Sequence, residues 1–246
     1  IIVTVRMGGF DLLYHGLNAQ TFPQEDFEVI IVDSCYAERR AAMENLQVVN
    51  PTTLLPANWF HIELPDKLDY YDACFANNYG LRMARGELVV FLTDNIWPEP
   101  KFLERHWQIY TNFPGYSMCG YCDRYELPSI KFPLDWQNCW WSIYEHEFTA
   151  EFAAKYWDAV PPYYRERKGG IRGAAVPGSP YFEMPGDMFY AALNESIPMS
   201  VLKDINGWNE DLDGGYGCAD IELGMRANLA GHKFLTFPDS INNKLG

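Results

Sequence analysis

The chain has 246 residues, 48% of them hydrophobic and 21% charged, an ordinary globular mix that excludes disorder as its main state. Its 33 acidic residues outnumber 19 Lys and Arg, for a net charge of −14. That balance excludes a duplex nucleic-acid binder and a broad polybasic membrane surface, which need clustered cations to meet phosphates. It leaves room for a small anionic ligand in a local site.

The first ~120 residues alternate strand-like and helix-like segments. Ile1–Val5 is a short β-branched run, and Asp11–Gln20 has helical spacing at Leu12, Leu13, Gly16 and Leu17. Phe27–Val32 is a continuous apolar run, as expected of a strand covered on both faces. Tyr36–Val48 reads as a helix and Trp59–Leu64 as a strand. Asp69–Arg85 reads as a helix stopped by Gly86, and Glu87–Leu92 as a second fully buried strand. Pro98–Tyr110 then reads as a helix with Pro near its start. Strands and helices in alternation with short connections predict a parallel α/β sheet.

Composition shifts near residue 113. Phe113–Pro185 is rich in Pro, Gly, Tyr and Trp, without clear periodicity except for a helix at about Trp140–Trp157. Lys168–Gly178 reads as a mobile loop. Order returns from Met188, with helices at Pro198–Ile205 and Ala219–Ala230. One domain over residues 1–246 is expected, with a nucleotide-type half (1–112) and an irregular second half (113–246).

No stretch approaches the ~20 apolar residues needed to span a bilayer. The chain opens on Ile1-Ile2-Val3 with neither Met nor a signal-peptide pattern, as an internal stretch of a longer product would. Of six cysteines, only Cys119 and Cys122 have ligand-like spacing, and a second pair for zinc is lacking. They read as reduced thiols of a cytoplasmic protein. Glu145-His146-Glu147 lacks metal-motif spacing and reads as a solvated helix face. Asn194-Glu195-Ser196 matches a glycosylation sequon by chance.

Ligands of open parallel sheets bind beyond the carboxyl ends of the strands. Thr4 and Arg6 follow the first strand, Asp33, Tyr36 and Arg39 the second, and Thr93-Asp94-Asn95 the Glu87–Leu92 strand. Carboxylates there can bind a ribose or base edge, or a cation that holds a diphosphate. Asp33 or Asp94 alone reads as a cap for the following turn or helix, but the pair in register, each after a buried strand, points to function. Further on, a Gly-rich approach (Gly214, Gly215, Gly217) leads to Asp220 in the first turn of a helix, where Glu222 and Arg226 are spaced to pair. A carboxylate there can serve as a general base or merely complement the helix dipole.

Three blocks resemble a known family in order and spacing. They are Leu17–Phe22 through Phe27–Asp33, Ala76–Glu87 through Phe91–Pro98, and Gly207–Glu210 followed by Ala219–Arg226. The chain resembles a family 2 glycosyltransferase with the GT-A fold. This resemblance implies a GT-A-like single domain with a mostly parallel sheet flanked by helices and an irregular acceptor side. It also implies sugar transfer from a nucleotide-diphospho-sugar donor, helped by a divalent metal, Mn or Mg. Thr4, Arg6, Asp33, Arg39, Asn78, Arg82, Thr93 and Asp94 then fall at donor positions. Asp94 and Asn95 fall at the metal motif, Asp220 at the catalytic base of inverting members, and Trp208, Glu210 and Tyr216 at the acceptor. The acceptor would be a glycan, a lipid-linked molecule or another hydroxyl compound, and peripheral membrane association is compatible with this.

The sequence departs from the family pattern at several points. Thr93-Asp94-Asn95 carries one acid where two are usual, Ser34 stands where a second acid is common, and Ala219 replaces the Glu of a Glu-Asp pair. The stretch Phe237–Asn243 lacks the His often found past the last helix, and His232 reads instead as a charge at a helix end. Two alternatives follow. One is a non-catalytic nucleotide-sugar or glycan-binding module on the same fold. The other is a nucleotidyltransferase, for which Arg6-Met7-Gly8-Gly9 is a faint phosphate loop.

Overall fold

The computed structural model describes residues 1–4, 13, 16–37, 58–65, 72–93, 96–125, 174–175, 182–184, 194–215 and 218–245. Its parallel half consists of β1 (Ile2–Thr4), β2 (Val29–Asp33), β3 (Trp59–Glu63) and β4 (Leu88–Thr93), with α1 (Ala73–Met83) between β3 and β4. All five residues of β2 are buried, which is why its sequence is continuously apolar rather than alternating. Ile31 and Val29 face one layer with Leu17 and Phe102. Ile30 and Val32 face the other, against Ala76 of α1. Gly80 lets α1 approach closely, since a Cβ there would lie 2.7 Å from the Ile1 side chain.

The remaining elements are β5 (Ile96–Pro98), α2 (Phe102–Asn112), β6 (Tyr116–Tyr125), β7 (Ala174–Ala175), β8 (Phe182–Met184), β9 (Glu195–Pro198), α3 (Met199–Asp204), α4 (Ala219–Leu229) and β10 (Lys233–Leu245). One mixed sheet runs through both halves in the order β3-β2-β1-β4-β9-β6-β10-β8-β7, with β5 paired to β10. The β3-β2-β1-β4 block is parallel. β9 is antiparallel to both β4 and β6, so β4 and β6 point the same way, and β10 runs parallel to β6.

Several expectations are corrected. Pro98 does not start a helix. It ends β5, which pairs with Asn242–Lys244, and α2 begins at Phe102. Residues 116–125 are not irregular, because β6 is ten residues long and is flanked by β9 and β10. Ala174 and Ala175, expected in a loop, pair with β8. The expected helix at Trp140–Trp157, with Glu145-His146-Glu147, lies outside the described residues, as does most of Tyr36–Val48. Among the described residues no helix is long and apolar enough to cross a membrane.

A candidate active site at the carboxyl edge of the sheet

Register brings the strand ends together. Thr4 pairs with Asp33 and Val3 with Thr93, so β1, β2 and β4 finish side by side. α1 follows β3, which places its amino end on this edge. α4 runs back over the sheet before feeding β10, and β10 points the same way as β4. The amino end of α4, with Asp220, therefore also faces the carboxyl edge. A direct contact agrees, because Asp213, five residues before the α4 cap Cys218, binds the amino end of α1.

The Asp33 carboxylate is fully buried. One oxygen accepts from the Cys35 N–H at 2.8 Å, closing the turn after β2. The other lies 2.9 Å from His61 Nε2. Tyr36 presses its ring against His61 with centroids 4.9 Å apart. His61 is a site residue the sequence analysis missed. Its only signal is its place on the strand beside the one ending in Asp33. Next to it, Ser34 Oγ donates to Asp72 at 3.4 Å.

Asn78 and Arg82, expected on the donor, point instead to the segment before α4. Asn78 Nδ2 donates to the Trp208 carbonyl, and its Oδ1 accepts from the Trp208 N–H, each at 2.8 Å. The same Nδ2 reaches Glu210 Oε1 at 2.8 Å, and Arg82 reaches that oxygen at 3.3 Å. Trp208, expected to stack on the acceptor, is a core residue. It is only 6% exposed and meets Phe91 edge-on at 5.3 Å, so neither face is open to a sugar. Glu210 is exposed on this edge.

Asp220 and Glu222 share the first turn of α4 with different partners. Arg226 holds Glu222 through two hydrogen bonds, of 2.8 and 2.9 Å, as the four-residue spacing predicts. Arg226 also donates to the carbonyls of Ile205 and Gly207. Among the described residues, Asp220 makes one hydrogen bond, from the adjacent Ile221 N–H at 2.9 Å, and no ion pair. Cys218 caps the helix in a left-handed conformation with φ of 70°.

Arg6, Arg39, Asp94, Asn95 and Tyr216 lie outside the described residues, and of Thr4 only the backbone is described. Among the described residues no group of three His, Cys, Asp or Glu is placed to hold a metal ion. His232, expected as a helix-end charge, pairs with Asp204 at 2.8 Å.

Beneath the edge lies a buried polar core. His106 on α2 meets Ser196 Oγ through Nδ1 and Asn194 Oδ1 through Nε2, both at 2.8 Å. Burial lowers the His106 pKa to about 4, against a smaller upward pull from Asn194. Asn194 has no exposed surface, which closes the sequon to modification. Glu195 points to the opposite face, within 3.7 Å of the Cys119 thiol.

The sequence model of Glycosyl transferase family 2 matches residues 12–163. That is more than half of the chain, and the chain belongs to this family. Its fold is GT-A-like. A crystal structure of S. aureus TarS 1-349 is similar, with a TM-score of 0.58 and 15% identity, over 99% of this chain and 59% of that one. The same fragment in complex with UDP-GlcNAc gives 0.58 and 13%, over 100% of this chain and 57% of that one. A longer S. aureus TarS structure gives 0.59 and 14%, over 100% and 36%. The chain thus spans three fifths or less of these TarS chains, and at such identities the likeness is one of fold. No curated protein sequence matches the chain.

Proposed function

We propose that the chain is a glycosyltransferase domain that moves a sugar from a nucleotide-diphosphate donor to an acceptor hydroxyl with inversion, using Asp220 as general base. The observation that carries this is the contrast within one helical turn. Glu222 is neutralised by Arg226, while Asp220 has no cation on it among the described residues and stands at the carboxyl edge of the sheet. Thr4, Arg6, Asp33, Arg39 and Thr93 would line the donor, and Glu210 and Tyr216 the acceptor. Asn78 and Arg82 are left out of the donor set because their polar groups face Trp208 and Glu210.

The steps follow from charge. The acceptor oxygen forms a bond to the anomeric carbon while the bond from that carbon to the diphosphate oxygen breaks. The hydroxyl proton passes to the Asp220 carboxylate, and the nucleoside diphosphate leaves with the electron pair. Asp94 and Asn95 offer one carboxylate and one amide carbonyl, hard oxygen donors that suit Mn or Mg. A cation there would neutralise charge building on the leaving group. The S. aureus TarS structures with UDP-GlcNAc and with UDP make a uridine diphospho-sugar the donor to propose. The setting we propose is cytoplasmic, where the thiols of Cys74 and Cys218 would stay reduced.

UDP release from UDP-GlcNAc, measured with Mn, tests the proposal. Asp220→Asn should bind UDP within about twofold of wild type and lose roughly 10²- to 10⁴-fold in turnover, the usual worth of a general base. Unchanged turnover in that variant removes Asp220 from the role. A non-catalytic binding module is favoured by the single acid of Thr93-Asp94-Asn95. It predicts UDP binding with no release of UDP from the sugar donor by any variant.

A further inference from the structure

The amino end of α1 is capped from the far half of the chain. Asp72 occupies the N-cap position but makes no capping bond with its side chain. The N–H groups of Cys74 and Phe75, which lack partners inside the helix, both donate to Asp213, at 2.8 Å each and from 139 and 138 residues away. Cys74, Asn78 and Arg82 recur every four residues and so form one stripe of α1. The whole stripe faces residues 207–213. Asn78 grips both backbone groups of Trp208, and Arg82 reaches Glu210. The approach is close. Gly207 has φ of 67°, and a Cβ on it would lie 2.5 Å from Asn78 Oδ1.

The other end of this strap is tied as well. Arg226 holds the carbonyls of Ile205 and Gly207 from α4 while it pairs with Glu222. The chain between residues 205 and 213 is therefore pinned to α1 on one side and α4 on the other. Four residues, 214–217, lead from the last pin to the α4 cap. Arg226 and this short link tie the first turn of α4 to the strap.

From this geometry we infer that Asp213 and Asn78 are positioning residues for Asp220, locking the carboxylate-bearing turn of α4 against the amino end and flank of α1. The inference rests on the assignment of Asp220 as base. An acid that must meet an acceptor hydroxyl within hydrogen-bond reach is sensitive to small displacements, and about 1 Å of misplacement can cost 10²-fold in rate. The clamp acts on the acid and not on the nucleotide, so rate and donor affinity should separate.

The test uses the 246-residue chain with Asp213→Ala, Asn78→Ala and the conservative Asp213→Asn, whose amide oxygen can still accept one N–H bond. UDP affinity is measured by calorimetry, and UDP release at saturating UDP-GlcNAc is measured well below each melting temperature. Amide hydrogen exchange is followed over residues 207–220. Both alanine variants should release UDP about 10- to 100-fold more slowly. They should bind UDP within twofold of wild type and exchange faster over 207–220, and Asp213→Asn should recover most of the rate. Wild-type release from proteins that merely melt earlier would overturn the inference, as would UDP affinity falling in step with rate. Unaltered exchange over 207–220 would do the same. The underlying assignment fails separately. If Asp220→Asn turns over normally, the base is wrong. If Asp220→Asn is inactive while the clamp variants match wild type, only the clamp is wrong.

Discussion

Lowering the pH should strip stability from the native state through one imidazole. His106 is fully buried between Ser196 and Asn194, and its pKa falls to about 4 because burial disfavours the cation. An unfolded chain would protonate the same ring near 6.5. The folded pKa lies below the unfolded one, so the unfolded state binds more protons between these values. The contribution of neutral His106 is therefore fully present above about pH 6.5 and declines as pH falls toward 4. With these two values the loss between pH 7 and pH 5 is about 2 kcal/mol, and over the full window about 3 kcal/mol. Urea denaturation at pH 7, 6 and 5, for wild type and His106→Gln, isolates this from the carboxylates. The variant should be less stable at pH 7, and the gap between the two proteins should narrow by about 2 kcal/mol at pH 5. A gap independent of pH would show that His106 is solvated or already charged, and the account of the buried core would be wrong.

Trp208→Ala should cost about 3–5 kcal/mol, because it empties the space beside Phe91. Trp208→Phe should cost less than about 1.5 kcal/mol, since among the described residues the indole N–H has no hydrogen-bond partner to lose. Denaturant midpoints for both variants check this, and an equal loss would mean that the N–H matters. Iodoacetamide at pH 8 should label the exposed Cys218 and spare Cys74 in the native protein. Cys74 is 1% exposed, and burial, reinforced by Asp213, pushes its thiol up to about 12. Mass mapping of modified peptides decides, and fast labelling of Cys74 would show that the amino end of α1 opens readily.

The parallel half of the sheet is legible because burial on both faces leaves an unmistakable trace. Val29–Val32 and Leu88–Leu92 are nearly unbroken apolar runs, and α1 and α2 carry helical spacing. β9 left no such trace. It is four buried residues that include Glu195 and Ser196, made tolerable by the bond of Ser196 to His106 on α2 and by those Glu195 accepts from the Asn194 N–H and the Cys119 thiol, none of which a local pattern announces. β10 reads Lys233 to Leu245 with a Pro and two Asn, and its register shifts between Thr236 and Ile241, so alternation is broken. The Glu222–Arg226 pair was readable because its geometry is local to one helix. Asn78 was not, since its partners lie 130 and 132 residues away and the same amide suits a ligand or a backbone equally well. Trp208 misled for a related reason, because a large aromatic beside a site packs as readily into the core as onto a sugar.

The position of β9 has a consequence for biogenesis. It is the strand that joins β4 to β6, yet it lies at residues 195–198, after both. A nascent chain emerging from the ribosome would expose the hydrogen-bonding edge of β4 from residue 93 until residues 195–198, about a hundred positions later, had been made. Truncations ending before residue 195 would keep that edge open and should aggregate rather than yield a smaller nucleotide-binding unit.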